Sequence, residues 1–252
     1  MNRAQTEIVI RECATIEEFD RCIELQREVF GLPDLEVSPR RHLIVSRYAG
    51  GWTLGAFAGD LLVGFVHHLV ARRGAEIIGY SHMMAVHRDY QNRGIGAQLK
   101  WAQRERALSE GVRFIKWTWD PMQARNAHFN LNRLGAIVRT YAVNFYGTDY
   151  NMPERGGIDS DRLFAEWELT SARVERAQRG EDPTPRAQPA AEIVIPPDWS
   201  ALVRRDADAA RREQRRVRAE FAEAFAAGLV CAGFLRDAER PRYLLYCAKD
   251  LS

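Results

Sequence analysis

The chain has 252 residues, with 36 Lys and Arg against 34 Asp and Glu and a hydrophobic fraction of 46%. This length is sufficient to bury a sizeable core, and the nearly balanced charge does not indicate a nucleic-acid partner. No apolar run approaches the roughly 20 residues of a membrane helix, and the N-terminus lacks a signal-peptide core, so we expect no membrane partner.

The first 50 residues predict a strand, a helix and a loop. Residues 7–12 form the predicted strand, and residues 15–29 form the helix. Thr15 begins the helix and makes a predicted capping box with Glu18 three positions later. Residues 30–40 are predicted as a loop because they contain one glycine and two prolines.

Three strands follow, at residues 51–58, 61–70 and 75–86. Short turns separate them, at Gly59-Asp60 and at residues 72–74. Because the connections are this short, the three strands are expected to form an antiparallel meander. The last strand leads directly into a basic, glycine-spaced segment.

The glycine-spaced segment after Val86 predicts a phosphate-binding junction. Gly94 and Gly96 allow backbone N–H groups to approach an anion, and the helix that starts near Gly96 adds its positive end. Two common phosphate loops are excluded. The dinucleotide fingerprint needs a third glycine, and the P-loop needs Lys followed by Ser or Thr, whereas Ala97 and Gln98 follow here.

The downstream part of the chain alternates between helices and strands. Predicted elements are a helix at 97–109, a strand at 112–119 ending before Pro121, a short helix at 126–134, and strands at 137–146 and 163–169. Further on, we predict a mobile loop at 171–191, a strand at 192–195, a mainly helical segment at 199–227, and a hairpin of residues 229–235 and 242–247. The predicted domains are a core at 1–170 and an extension at 192–252.

The motif Gln91-x-x-Gly94-x-Gly96 after a strand resembles the acyl-coenzyme A loop of the GNAT superfamily of N-acetyltransferases. The order of elements around it is also similar. The resemblance implies an α/β protein with the GNAT fold, in which a mixed, mostly antiparallel central sheet is flanked by helices, plus a small C-terminal α+β extension. The tail, together with residues 125–131, resembles a branch of predicted GNAT acetyltransferases that carries such an extension.

The resemblance implies acetyl-CoA as acyl donor, with no metal, and an amine as acceptor. In the family the loop binds the pyrophosphate of coenzyme A and the preceding strand binds the pantetheine arm. Carried onto this sequence, the implied cofactor-binding residues are Met84, Ala85, Val86, Gln91, Asn92, Arg93, Gly94, Ile95, Gly96, Ala97, Asn126 and Phe129.

His82 and Asp120 are the candidate catalytic bases. His82 occupies a position where one branch of the family has a functional histidine, and an imidazole with a pKa near 6.5 suits a base at neutral pH. The companion histidine of that branch corresponds to Tyr80 in this sequence. The tyrosine that usually acts as general acid in the family corresponds to Leu131. Asp120 follows a buried strand, where its alternative role is that of a turn residue before Pro121.

Several alternatives remain open from the sequence. A metal site built from His67, His68, His87 and His128 is not supported by their spacing. Seven arginines between residues 204 and 218 face three acids, which is typical of a solvated helix face but also allows an acyltransferase that acts on charged tRNA. A third possibility is a non-catalytic acyl-CoA-binding protein.

The preferred prediction is an acetyl-CoA-dependent N-acetyltransferase that acts on a small-molecule amine. We expect it to be a monomer or a homodimer. The four cysteines show no Cys-x-x-Cys spacing, so we expect reduced thiols and a cytoplasmic protein.

Overall fold

The computed structural model describes residues 7–148 and 157–251. The chain divides into two compact units, Met1–Ile115 and Lys116–Ser252, and each is described by itself. Within the described ranges, no helix is long and apolar enough to cross a membrane.

The described part of the first unit is an antiparallel meander with three α-helices. Its elements are β1 Ile8–Glu12, α1 Ile16–Phe30, α2 Arg40–Tyr48, β2 Trp52–Ala58, β3 Leu61–Arg73, β4 Glu76–Val86 and α3 Ile95–Ser109. The strand order is β1-β2-β3-β4, and every neighbouring pair is antiparallel. The meander predicted from residues 51–86 is therefore confirmed.

Helix α1 begins and ends as its sequence predicts. The Thr15 hydroxyl accepts a hydrogen bond from the Glu18 N–H, and the Glu18 carboxylate accepts one from the Thr15 N–H, which completes the capping box. Gly31 ends the helix in the left-handed region, at φ 61°. Phe19 and Leu25 of this helix pack with Phe65 of β3 in a buried apolar cluster.

Helix α2 was not predicted, because its first residues are charged and follow Pro39. Pro39 occupies the N-cap, where its missing N–H is not needed, and Leu43 and Ser46 are the buried residues of the helix. The predicted loop at residues 30–40 thus ends where this helix begins.

Strand β4 contains a bulge at His82. Opposite it on β3, His67 pairs with Met83 and His68 pairs with Ser81, so His82 is the extra residue. A bulge disrupts the ladder locally and redirects a side chain. The bulge therefore sets the direction of a predicted catalytic residue.

The second unit combines strands with helices. Its elements are β5 Phe114–Trp119, whose first two residues belong to the first unit, α4 Ala124–His128, a π-helical turn Phe129–Arg133, β6 Ile137–Ala142, β7 Arg162–Glu168, α5 Ala172–Gln178, β8 Ala191–Val194, α6 Trp199–Arg205, α7 Ala207–Ala226, β9 Leu229–Leu235 and β10 Arg242–Cys247. The strand order is β5-β7-β6-β9-β10-β8.

The predicted C-terminal extension continues the sheet of the second unit. Strand β9 pairs antiparallel with β6, with Val138 opposite Cys231, and β10 pairs with both β9 and β8. Helix α7 packs on these strands through Val217 and Phe221, which are fully buried. The division into a core at 1–170 and an extension at 192–252 stays a prediction.

The predicted loop at residues 171–191 is wrong in its first part, which forms α5. Ser171 caps this helix, since its hydroxyl accepts a hydrogen bond from the Val174 N–H. Arg173 on the same helix is 6% exposed, and its guanidinium donates to four backbone carbonyls outside the helix. Composition favoured a loop, whereas the capping serine and the buried arginine determine a helix.

Candidate functional site

The glycine-spaced loop of the first unit joins β4 to α3 through a fixed turn. The Gln91 side-chain amide donates to the carbonyl oxygen of Val86 at 2.9 Å, which fastens the loop to the last residue of β4. Asn92 and Gly94 both adopt left-handed backbone angles, with φ of 62° and 81°. These angles turn the chain into α3, which begins at Ile95.

The N-terminal N–H groups of α3 are oriented along the axis of a long helix. The first helical hydrogen bond runs from the Gln98 N–H to the Gly94 carbonyl, at 3.0 Å. The N–H groups of Ile95, Gly96 and Ala97 precede it and have no carbonyl one turn earlier within the helix. No acid lies in the first turn. An anion placed here gains from both the N–H groups and the helix dipole.

Two side chains determine the character of this helix start. Ile95 is 2% exposed and anchors the helix in the core, whereas Arg93 is exposed and its guanidinium carbon lies 5.2 Å from the centre of the Tyr90 ring. Arg93 therefore adds a cation at the solvent side of the loop, where it can pair with a phosphate.

His87 fastens the beginning of the loop to α1. Its Nδ1 atom accepts a hydrogen bond from the Asp89 N–H at 3.3 Å, so Nε2 carries the proton of the neutral ring. That Nε2 atom lies 3.5 Å from a carboxylate oxygen of Glu28 on α1. The loop is thus held at both β4 and α1.

The end of β4 presents both buried and half-buried side chains. Ala85 is 2% exposed and belongs to the apolar cluster with Phe65, its partner on β3. Met84 and Val86, on the opposite face, are half-buried. Strand alternation therefore places these two side chains on one face of the sheet.

His82 lies in a group of three imidazole rings. Its ring centre is 5.4 Å from that of His42 and 6.1 Å from that of His67. Its Nε2 atom is 3.1 Å from the Ser38 hydroxyl, and the backbone of Ser38 is held on both sides by the Gln26 side chain. Neither Ser38, which contacts His82, nor Gln26, which holds Ser38, was identified from the sequence, because both contacts join segments that are distant in the chain.

The hydrogen bonds of His67 fix its tautomer. The Ser46 hydroxyl donates to the Leu43 carbonyl at 3.0 Å, so its oxygen can only accept from His67 Nε2. His67 Nδ1 then accepts from the Thr53 hydroxyl, at 2.8 Å. His67 is therefore a neutral structural residue that links β2, β3 and α2.

Burial lowers the pKa values of both buried rings. The pKa of His67 is lowered to about 3, first by burial and then by the neighbouring imidazoles, and the pKa of His82 is lowered to about 4 by burial and by His42. The predicted pKa near 6.5 for His82 is therefore wrong for the free protein. His82 is neutral at pH 7, but it is a weaker proton acceptor than an exposed imidazole.

The histidines are not arranged as a set of metal ligands in the described residues. Across residues 7–148 and 157–251, no three His, Cys, Asp or Glu side chains are placed to hold a metal ion. Both ring nitrogens of His67 are occupied by hydroxyl groups. His42 Nε2 is buried without a hydrogen-bond partner in that part of the chain.

The remaining predicted residues lie in the second unit. Asp120 follows β5, and its carboxylate accepts from the Met122 N–H at 2.9 Å, which stabilises the turn. Asn126 is exposed on α4, and Phe129 is half-buried where the α-helix changes to the π-helical turn. Leu131 in that turn is fully buried, so its position is part of the core.

Asp120 also lines a cavity of about 210 Å³ within the second unit. The other lining residues are Gly147, Ile158, Asp159, Ser160, Arg162, Trp199, Ser200, Val203, Arg204 and Gln214. The cavity therefore brings together the end of β5, the start of β7, and both helices of the C-terminal segment. Asp120 was a candidate from the sequence, whereas Trp199 was not identified from it.

Helix α7 holds one wall of this cavity in place. Arg218 donates to Asp159 at 2.7 Å and to both carboxylate oxygens of Asp161, at 2.9 and 3.0 Å. Gln214 donates to the Asp159 carbonyl at 2.7 Å, and Tyr141 donates to Asp161 at 2.6 Å. The wall is thus fixed by charged and neutral hydrogen bonds.

Three arginines of the basic segment form ion pairs with acidic residues of the same unit. Arg211 pairs with Asp208, Arg216 with Glu213 and Glu220, and Arg218 with Asp159 and Asp161. Each pair neutralises charge that a nucleic-acid surface would need. The segment therefore fits a helix face better than a binding surface.

Comparison with protein families identifies the class of protein. Residues 17–135 match the sequence model of the acetyltransferase (GNAT) family, a range that includes β4, the glycine-spaced loop and α3. Residues 17–135 therefore match an acetyltransferase domain of the GNAT family, whose members are acyltransferases. The comparison with curated proteins gave no match.

Solved structures share this fold at low sequence identity. The ribosomal-protein-S18-alanine N-acetyltransferase from Escherichia coli has a TM-score of 0.53 and 15% identity, over 66% of this chain and 96% of that one. The NatC complex bound to Gag peptide and CoA contains a chain with a TM-score of 0.53 and 17% identity, over 65% and 99%. Naa50 from Arabidopsis thaliana, bound to the bisubstrate analogue CoA-Ac-MVNAL, has a TM-score of 0.50 and 14% identity, over 63% and 97%. These similarities support the GNAT fold.

Proposed function

We propose that the protein transfers an acetyl group from acetyl-CoA to the nitrogen of a small amine. The observation that carries this proposal is the loop from Gln91 to Ala97, in which two left-handed residues turn β4 into the N-terminus of α3. A pyrophosphate accepts hydrogen bonds well from such a helix start. The GNAT family match supports the same donor.

The proposed coenzyme A contacts follow the loop and the strand before it. Gln91, Asn92, Arg93, Gly94, Ile95, Gly96 and Ala97 bind the pyrophosphate, mostly through backbone N–H groups. Met84, Ala85 and Val86 bind the pantetheine arm through the backbone, and Asn126 and Phe129 contact the same arm. No metal is needed, because acetyl transfer requires only proton transfers and a polarised carbonyl.

The reaction replaces the C–S bond of the thioester with a C–N bond and moves one proton from nitrogen to sulfur. The amine nitrogen attacks the thioester carbonyl carbon, the C–N bond forms, and the C–S bond breaks to release the thiolate of coenzyme A. The nitrogen gives its proton to a base, and the thiolate receives one. We propose Asp120 and His82 for these proton transfers, since Asp120 lines a cavity and His82 is neutral at pH 7.

Calorimetric titration with acetyl-CoA, followed by thiol release across a panel of amines, tests the proposal. Micromolar binding and amine-dependent thiol release support it. A result without acetyl-CoA binding would contradict it. Binding without thiol release would favour a non-catalytic acyl-CoA-binding protein. The same role is favoured by Leu131, which is buried and occupies the position of the family's general-acid tyrosine.

The proposal places the protein in the cytoplasm, where its four free cysteines stay reduced. A macromolecular acceptor is the main rival for the acceptor side, because the similar enzymes named above include one named for a ribosomal protein. Turnover of peptides or charged tRNA without turnover of small amines would support this rival. For charged tRNA, binding should weaken steeply with salt.

A further inference from the structure

We propose that Ser38 is a positioning residue for acetyl transfer: its hydroxyl accepts a hydrogen bond from the Nε2–H group of His82, which leaves Nδ1 of the ring to take the substrate proton. This inference rests on the proposed function and deepens it, because it assigns a tautomer and a reacting nitrogen to His82. The residues that carry it lie in the first unit, together with β4 and the glycine-spaced loop.

The two ring nitrogens of His82 have different surroundings. Nε2 lies 3.1 Å from the hydroxyl oxygen of Ser38. Within residues 7–148 and 157–251, Nδ1 forms no hydrogen bond, and it is not a fully buried atom. Nδ1 is therefore the nitrogen that an incoming group can reach.

His67, on the neighbouring strand β3, lacks such an open nitrogen. The hydroxyl groups of Ser46 and Thr53 occupy both of its ring nitrogens. A ring that is bonded on both sides holds the fold together but exchanges no proton with a substrate. His82 has the same kind of partner on one side only, which is the arrangement expected of a proton carrier.

Ser38 is held in place independently of His82. Its backbone N–H donates to the Gln26 side-chain oxygen at 2.8 Å, and its carbonyl accepts from the Gln26 amide at 3.2 Å. Gln26 is fully buried, so both ends of its amide are committed to this one residue. The next residue, Pro39, occupies the N-cap of α2 and restricts the backbone of Ser38 to extended angles. The hydroxyl therefore meets His82 from a fixed position.

The hydroxyl of Ser38 decides which nitrogen of His82 carries the ring proton. A neutral imidazole has one N–H group, so a donor at one nitrogen leaves an acceptor at the other. If Ser38 donated to Nε2, the proton would lie on Nδ1, and the open nitrogen could accept nothing. With Ser38 as the acceptor, the lone pair of Nδ1 is open. Within the described residues the hydroxyl bonds only His82, so no other donor competes for its oxygen.

His82 also lies on the strand that is proposed to bind the donor. It belongs to β4, as do Met84 and Val86, and roughly 13 Å of extended strand separate it from Val86. The thioester is the end of the pantetheine arm that is furthest from the pyrophosphate. An arm that runs back along β4 from the glycine-spaced loop therefore brings the thioester toward His82.

Turnover through His82 moves one proton in two steps. Nδ1 takes the proton of the attacking nitrogen as the C–N bond forms, and the C–S bond breaks to release the thiolate. The imidazolium returns the same proton from Nδ1 to the sulfur, while Nε2–H stays bonded to Ser38. Because burial and the neighbouring His42 lower the pKa of His82 to about 4, the imidazolium gives up its proton readily.

Nitrogen NMR of the free protein tests the tautomer. In the wild type near neutral pH, the ring proton of His82 should lie on Nε2, and His82→Gln identifies its signals. Ser38→Ala removes the acceptor and should leave a mixture of both tautomers. Ser38→Thr keeps a hydroxyl group and should restore the wild-type signals.

Ser109→Ala is the matched control for the loss of a serine hydroxyl. Ser109 is exposed at the end of α3, where its hydroxyl donates to the Arg106 carbonyl. This variant should keep the wild-type tautomer of His82.

Single-turnover thiol release in Asp120→Asn isolates the turnover that passes through His82. Addition of Ser38→Ala should lower this rate about three- to tenfold, the effect of one hydrogen bond, without a change in the Kd for acetyl-CoA. Addition of Ser38→Thr should leave most of the rate. Circular dichroism confirms that the variants remain folded.

Three results would overturn the inference while leaving acetyl transfer intact. The first is a ring proton on Nδ1 of His82 in the wild type, and the second is a tautomer that Ser38→Ala does not change. The third is an Asp120→Asn protein that releases no thiol, or whose rate is unchanged by Ser38→Ala. In contrast, a wild-type protein that binds no acetyl-CoA overturns the proposed function itself, and the inference with it.

Discussion

The side-chain amide of Gln91 donates a hydrogen bond of 2.9 Å to the backbone carbonyl of Val86. This bond closes the loop on the strand that precedes it, so the turn geometry is set before an anion arrives. In Gln91→Leu we expect the Kd for coenzyme A to rise about fivefold, the usual effect of one hydrogen bond. Calorimetric titration measures the change. Gln98→Leu, at an exposed position on α3, is the control and should bind as the wild type does.

Gly94→Val should abolish measurable coenzyme A binding. Gly94 has φ of 81° and no atom within 4 Å of its added Cβ, so the substitution strains the backbone without a clash. Gly111→Val is the matched control, because Gly111 has φ of 80° and equally open space at the other end of α3. Each variant should lose about 1–2 kcal/mol of unfolding free energy. Equal coenzyme A affinity in the two variants would contradict the phosphate-loop proposal.

Asp120→Asn and His82→Gln separate the two proposed bases. Removal of the main base should lower kcat by about 10²–10⁴-fold while coenzyme A binding stays unchanged. We expect the larger loss in Asp120→Asn, because the pKa of His82 is lowered to about 4 and its Nε2 atom already contacts Ser38. The measurement is single-turnover thiol release from pH 6 to 9. A larger loss in His82→Gln would reverse the assignment.

The sequence predicted the elements with strong local signals. The Thr15 capping box, the glycine-spaced loop and the hairpin at 229–247 depend on neighbouring residues, and all three lie where they were predicted. Helix α2 was missed, since its buried face consists of only Leu43 and Ser46 and its start has no side-chain cap. Local patterns fail where distant contacts decide the structure.

The surroundings of the candidate site residues depend more on contacts between distant parts of the chain than the secondary-structure elements do. The lowered pKa of His82 follows from burial and from the approach of His42, which lies 40 positions away in the chain. The cavity at Asp120 is completed by Trp199 of α6. Neither contact leaves a signal in the spacing of residues, so the candidate residues could be predicted from the sequence but their surroundings could not.

Acid should destabilise the first unit in a defined window. The pKa values of His67, His68 and His82 are lowered to about 3, 4 and 4, chiefly by burial, whereas unfolded imidazoles titrate near 6.5. Between pH 6.5 and 4 the unfolded state therefore binds more protons, and the unfolding free energy falls as the pH falls. The slope is up to about 1.4 kcal/mol per pH unit for each ring.

Urea denaturation between pH 8 and 5 measures this slope. Above about pH 7.5 the three rings are neutral in both states and contribute no slope. His67→Gln removes one of the three titrating rings. Between pH 6.5 and 5, the slope of the unfolding free energy against pH should fall by the contribution of one ring. A slope equal to that of the wild type would show that His67 is protonated in the folded protein.

Arg218→Met should destabilise the second unit by about 3–5 kcal/mol, because it leaves a buried carboxylate without its cation. The Asp161 side chain is fully buried, and Arg218 is its ion-pair partner. Arg215→Met, at an exposed position on α7, should change stability by less than about 0.5 kcal/mol. The double variant Arg218→Met with Asp161→Asn should recover part of the loss. Chemical denaturation measures the unfolding free energy of each variant. A loss in the double variant equal to the sum of the two single losses would contradict an interaction between Arg218 and Asp161.

The buried guanidinium of Arg173 donates hydrogen bonds to the backbone carbonyls of Leu131 and Ala232, which are about a hundred positions apart in the chain. During synthesis, the ribosome delivers Arg173 well before the strand that carries Ala232. Until that strand leaves the ribosome, the Arg173 guanidinium lacks the Ala232 carbonyl as a hydrogen-bond acceptor. The second unit should therefore reach its native packing only late in translation, after the chain beyond residue 232 has left the exit tunnel.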